Sequence, residues 1–259
     1  MNKKGIDASK HQRIINWNKV KKAGIEFAII RAGYGKSTVD EYFIENIVGA
    51  NTAGIEIGIY WFIYAKNKEE ALKNAKMCHK TIEKYKDIIT MKVWADWEYD
   101  SDNNSIKNGV AQTKNSRTEI VIAFLEYLKD KGYEVGNYAN PDYLKNKFND
   151  LSKYPLWLAK YSDSMGEYNP LMWQYTSKGN VDGIKGNVDM NIYYGKEEVR
   201  YYSIPDFTLV DSLNKIGVDS SYENRTRIAK ANGINDYKGT KEQNIRLLDL
   251  IKSGKLIKA

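Results

Sequence analysis

The stretch Ala95-Asp96-Trp97-Glu98 ends a largely apolar run with two carboxylic acids two positions apart. In an extended strand, residues i and i+2 face the same side. The spacing therefore predicts two carboxyl groups on one face at a strand end. Acids placed side by side push their pKa values apart, so that one holds a proton while the other is ionised. Hydrolysis of a glycosidic bond needs that combination: one acid protonates the leaving oxygen, and one charge steadies the cationic sugar. Glu98 has the longer reach and is expected to be the general acid; Asp96 is expected to stay charged. A structural pair or a pair of metal ligands has the same spacing, and D-x-E alone does not separate these readings.

The elements that would position the acids alternate. Strand patterns at 5–9, 27–33, 56–65, 91–98 and 134–140 are each followed by a helical pattern, at 16–24, 41–54, 68–87, 116–132 and 141–148. Three further strands, 155–161, 171–177 and 187–194, follow without convincing helices. Near-continuous apolar strands between amphipathic helices imply a parallel sheet covered on both sides. Eight of them suggest an α/β fold, a TIM-like (β/α)5(β)3 barrel; a doubly wound open sheet is the alternative, and it lacks its glycine fingerprint here. In such a barrel catalytic residues lie at the C-terminal ends of the strands. Asp7 ends the first strand and Asp189 lies on the eighth, its neighbour on closure. Asp7, Asp96, Glu98 and Asp189 are thus expected at one mouth.

The composition shifts near residue 200. The expected domains are a barrel at 1–198, a linker at 199–206 and a small all-α three-helix module at 207–259, its helices at 209–217, 220–233 and 240–254. Net charge is +7, which suits an anionic partner, but the basic residues are scattered and no nucleic-acid motif is present. One cysteine, Cys78, excludes an intrachain disulfide. With two histidines, no zinc site is spelled out. Cys78 and His79 lie in a helical pattern and read as packed residues, not as a nucleophile and its base. GYGKST, 33–38, ends like a phosphate loop but has Ile30 where that loop needs its first glycine. The N-terminus shows no apolar leader, and the longest apolar run is about half a membrane span. A cytoplasmic site of synthesis and no membrane partner are expected.

GIDASKHQ, FAIIRAGYG, GIYWFIYA, ADWE, GYEVGNYAN, YPLWLAKY, MWQYT and NVDMN occur in the order and spacing of the glycoside hydrolase family 25 lysozymes, which residues 4–195 resemble. The resemblance implies the five-plus-three barrel and hydrolysis of the β-1,4 bond between N-acetylmuramic acid and N-acetylglucosamine. It implies that Glu98 is the acid, that Asp96 orients or stabilises the substrate's N-acetyl group or a charged intermediate, and that Asp7 and Asp189 tune the pair and bind substrate. Tyr34, Tyr64, Tyr138, Trp157 and Gln174 match positions that contact sugar. No metal or organic cofactor is implied. Ala95 and Trp97 stand where family members often have aliphatic residues, which bears on the cleft floor. Residues 206–257 resemble tail modules of lytic enzymes from clostridial and bacillus phages, implying wall binding, with anionic wall polymers as candidate ligands. Together these features imply an endolysin that waits in the host cytoplasm until a holin releases it to the cell wall. A non-catalytic barrel that grips peptidoglycan is the competing expectation.

Overall fold

In the first unit, strands form where the chain is continuously apolar, and α1, α3 and α5 start at side-chain caps. In the computed structural model, residues 2–195, 201–202 and 208–259 are described. The strands are β1 (Lys3–Ala8), β2 (Phe27–Tyr34), β3 (Thr38–Val39), β4 (Glu56–Phe62), β5 (Val93–Asp96), β6 (Val135–Ala139), β7 (Leu156–Ala159), β8 (Met172–Gly179) and β9 (Val188–Tyr193). The helices are α1 (Trp17–Lys22), α2 (Phe43–Thr52), α3 (Lys68–Ile82), α4 (Tyr99–Lys107) and α5 (Lys114–Asp130). In α3, Ala71, Ala75, Cys78 and Ile82 recur at helical spacing and are buried. Its start is capped by Asn67, whose side-chain oxygen accepts the Glu70 N–H at 3.0 Å.

Eight strands close in the order β1-β2-β4-β5-β6-β7-β8-β9, and β9 returns to pair with β1. Pairing of β1 with β2 completes the ring and excludes the open sheet. The short β3 only folds back on β2, and GYGKST is the turn of that hairpin, not the start of a helix. β9 is antiparallel to both neighbours, where a parallel sheet was expected. The reason is length. Only 180–187 separates β8 from β9, and a parallel crossover needs a dozen or more residues.

Two apolar layers result. Inside the barrel, Phe27, Ile29, Trp94, Tyr138, Trp157 and Met172 fill the centre. Small residues make room for the large rings: a Cβ at Gly136 would stand 2.3 Å from the Trp94 ring. Outside, residues such as Ile57, Ile59 and Trp61 of β4 pack against Ile47, Phe124 and Leu125 of the helices.

The second unit, Lys196–Ala259, is separate. Helices α6 (Leu209–Lys215), α7 (Tyr222–Ala231) and α8 (Lys241–Lys252) are capped by Thr208, Ser221 and Thr240. They enclose Leu213, Ile228, Leu247 and Ile251. A two-residue antiparallel pair, β10 (Tyr201–Tyr202) with β11 (Leu256–Ile257), adds strand to what was expected to be all-helical. It also takes Tyr201 and Tyr202 out of the expected linker; residues 199–200 and 203–206 of that linker lie outside the described residues.

Candidate active site

Strand β5 stops at Asp96, two residues earlier in the chain than the pattern suggested, and Glu98 is the N-cap residue of α4. Glu98 keeps extended backbone angles, φ −128° and ψ −172°. The i, i+2 relation therefore survives past the end of the strand. Trp97 between them is fully buried on the other side, and its Nε1 donates to Asp102 at 3.3 Å. Asp102 also accepts from Arg117 at 2.9 Å and from the Tyr143 hydroxyl at 2.7 Å. This bracket holds the start of α4, and so Glu98, against α5.

Asp7 and Asp189 are register partners across β1 and β9. Because β9 runs backwards, a residue near its start lies at the same barrel end as residues near the finish of the parallel strands. Gln174 Nε2 and Asn191 Nδ2 donate to the same oxygen of Asp7, at 2.9 and 2.8 Å. Asn191 Oδ1 in turn accepts the Trp157 indole N–H at 2.8 Å. Gln174 Oε1 accepts from the Tyr138 hydroxyl at 3.0 Å and from the Tyr161 hydroxyl at 3.1 Å. Tyr138 is also hydrogen-bonded to the Glu98 carboxyl. One polar chain thus runs from Trp157 through Asn191, Asp7, Gln174 and Tyr138 to Glu98.

Burial raises the pKa of all four acids. Asp7 is pushed well up by burial and then by Asp189, against the two amide donors. Asp189 is raised by burial, partly offset by its hydrogen bond with Asp7. Both members of this facing pair are thus held above the ordinary carboxyl range. Asp96 is pushed well up by burial, then by Glu98 and Asp7, while Arg31 pulls it down. Glu98 is raised by burial and lowered by the Tyr138 hydrogen bond. Asp96 is thus held further up than Glu98, and burial does not by itself keep Asp96 charged as expected. Access separates them differently: Asp96 is 5% exposed, whereas Glu98 is only partly covered. Among the described residues, Asp96 Oδ1 is buried with no hydrogen-bond partner.

Of the expected sugar contacts, Tyr138 and Gln174 belong to the polar chain. Tyr34 and Tyr64 pack edge to face at 6.0 Å and line a groove of about 270 Å³ with Lys36, Glu70 and Asn104. Trp157 is placed otherwise. It is 2% exposed, packed edge-on against Trp94 and Tyr138 inside the barrel, and offers no face to a ligand in this structure. Sequence reasoning missed Arg31, Asn191 and Tyr161. Arg31 and Asn191 carried a signal: each is a polar residue at an inward position of an apolar strand, and Asn191 lies two positions from Asp189. Tyr161 follows β7, is 56% exposed, and its ring flanks Gln174.

Strongly raised carboxyls are a cost to folding. The unfolded-state Asp ionises near its ordinary pKa of about 3.9. Above that pH the folded chain resists ionising Asp96, so stability is lost as pH rises from there through the raised folded pKa. Asp96→Asn is accordingly expected to raise Tm at pH 7 and to leave it unchanged below about pH 4. Thermal melts across that range check this; an equal gain at pH 3 would rule out the carboxyl charge as the cause.

The family model described as "Glycosyl hydrolases family 25" matches residues 6–184. The autolytic lysozyme of Clostridium acetobutylicum is 28% identical over 191 residues, 73% of this chain and 55% of that protein. The structure of the modular autolysin LytC from Streptococcus pneumoniae in complex with a synthetic peptidoglycan ligand superposes with a TM-score of 0.66 at 30% identity, covering 74% of this chain and 47% of that one. This chain thus spans about half the length of both relatives. The endolysin of Listeria phage A511 is 52% identical over 46 residues, 18% of this chain and 14% of that protein. The matched span runs from within β1 through β8 and holds every acid but Asp189, which lies on β9 and pairs with Asp7 inside the span, and this chain belongs to glycosyl hydrolases family 25.

Proposed function

We propose that this chain is a muramidase that hydrolyses the β-1,4 bond between N-acetylmuramic acid and N-acetylglucosamine in peptidoglycan. The observation that carries this reading is the contrast between Glu98 and Asp96: two acids with raised pKa at one mouth, one partly accessible and one enclosed. Glu98, held by Tyr138, gives its proton to the glycosidic oxygen as the C1–O bond breaks, and a water later supplies the new C1 hydroxyl and returns a proton to Glu98. Asp96 lies deeper, and its unpartnered Oδ1 is free to accept the N–H of a substrate acetamido group. As positive charge grows on the sugar, the ionised form of Asp96 is favoured and burial is opposed. Asp7, beside Asp189, orients Gln174 by accepting its Nε2, with Tyr138, Tyr34 and Tyr64 along the glycan path. Trp157 supports this path from within the barrel.

In this reading the second unit, with residues 207–259, holds the wall, raising the local concentration of the barrel on an insoluble substrate. The short, strong similarity to a phage endolysin supports an enzyme that lyses a Gram-positive host from within, released from the cytoplasm by a holin. Among the described residues, no helix is long and apolar enough to cross a membrane.

Purified peptidoglycan is to be digested and the new reducing-end sugar identified. New muramic acid ends support the proposal. New glucosamine ends overturn the bond assignment and keep the glycosidase. Wall binding with no new ends makes the barrel a binding protein.

A further inference from the structure

Strand β4 ends at Phe62, and one further ladder bond follows, from the Ile63 N–H to the Asp96 carbonyl at 2.8 Å. At Tyr64 the sheet has stopped, because the chain beyond Asp96 turns into α4. The Tyr64 N–H and C=O therefore need partners from outside the sheet. One side chain supplies both. Asn74 Oδ1 accepts the Tyr64 N–H at 3.2 Å, and Asn74 Nδ2 donates to the Tyr64 carbonyl at 3.0 Å. A carboxamide carries a donor and an acceptor side by side, so it stands in for the missing strand.

Asn74 is out of keeping with its surroundings. It lies inside α3, among Ala71, Ala75 and Cys78, and is 0% exposed. Asparagine is a poor residue for a helix interior, because its amide competes for backbone groups. Here that competition is put to use. Asn74 Nδ2 also donates to the Glu70 carbonyl at 2.8 Å, which ties the amide to its own helix while it grips the loop. Ring contacts with Tyr34 and Phe62 set the tilt of the Tyr64 ring, and the place of its backbone is left to Asn74. That ring stands where two grooves meet. One, of about 270 Å³, is shared with Tyr34 and Lys36; the other, of about 420 Å³, with Asp100, Asn103 and Ile106. Asp100 lies two residues beyond Glu98, and its charge helps to raise the Glu98 pKa.

We propose that Asn74 is a positioning residue for the glycan: from α3 it fixes the backbone of Tyr64, and through it the ring along which the sugar chain lies. This rests on the placement of Tyr64 on the glycan path. A displaced ring weakens the grip on ground state and transition state alike, so the loss falls on KM and not on kcat.

The test uses the full-length chain and a soluble tetrasaccharide of alternating N-acetylglucosamine and N-acetylmuramic acid. Asn74→Ala is expected to raise KM about tenfold with kcat unchanged, the mark of lost uniform binding. Asn74→Leu, which keeps the volume but has no amide, gives the same rise if Asn74→Ala fails to fold. Tyr64→Ala is expected to raise KM by a similar factor. Adding Asn74→Ala to it should change KM by less than about twofold, since a residue that acts through the ring has nothing to act on once the ring is gone. The same cycle is read as Kd by calorimetry in the Glu98→Gln chain. It therefore keeps its meaning if the wild-type chain releases no new reducing ends and the muramidase reading fails. Losses that multiply in the double variant, an unchanged affinity in either single variant, or a fall in kcat with KM unmoved overturns the proposal.

Discussion

Glu98→Gln lowers turnover on peptidoglycan by about 10³–10⁴-fold, at the upper end of what a positioned general acid contributes, and leaves wall binding and Tm nearly unchanged. Glutamine keeps the shape and a hydrogen bond with Tyr138 but has no acidic proton to give. The diagnostic is the leaving group. The phenol of an aryl N-acetylmuraminide with an acidic phenol departs with little protonation, so the same variant should lose only about tenfold on it, since the proton-transfer contribution is what has been removed. An equal loss on both substrates would show that Glu98 places the sugar and does not protonate it, and an unchanged rate on peptidoglycan would remove it from the mechanism.

Arg31→Met is expected to have the largest effect on stability. Arg31 Nε meets Asp40 Oδ2 at 2.7 Å, with the Asp40 side chain fully covered. Asp40 also accepts the backbone N–H groups of Lys10 and Tyr42. Removing one partner of a buried pair leaves an uncompensated charge and costs about 3–5 kcal/mol. Urea melts at pH 7 read this, and Arg31→Met with Asp40→Asn should recover part of it, as coupled sites do. The second effect is on the mouth. Arg31 is the charge that lowers the pKa of Asp96. Without it Asp96 holds its proton to higher pH, so the acid limb of the pH–rate profile moves upward, while Arg31→Lys holds it in place. A destabilised variant with an unmoved acid limb would confine Arg31 to a structural role.

The barrel was legible because a buried strand shows as an unbroken apolar run and a covering helix as spaced apolar residues. The direction of β9 is not in such a run, since a strand looks the same either way; only the brevity of 180–187 carried it. Helix α4 was missed for a related reason. Its sequence, Tyr99 to Lys107, has almost no apolar face. Asp102, tied to Arg117, Trp97 and Tyr143, holds it instead, and those partners are distant in sequence. Trp157 shows the limit of transferring a position from a resemblance. A tryptophan in a strand suits a sugar or a core equally, and the glycine opposite Trp94 shows that here the interior was built around rings. Asp7, Asp96, Glu98 and Asp189 stood out because acids at apolar strand ends are rare without a task, while their distinct protonation depends on burial that only the closed barrel creates.

Closure has a consequence for how the chain is made. Asp7 is among the first residues synthesised, yet its amide donors Gln174 and Asn191 and its register partner Asp189 are among the last of the barrel. A nascent chain, or a fragment truncated before β9, has Asp7, Asp96 and Glu98 but neither Asp189 nor a ring to enclose them. Long-range closure of this kind is slow compared with local helix formation. Translation of the barrel therefore acts as a timer: the centre is assembled in one step, at the end, and no product that stops before β9 carries it.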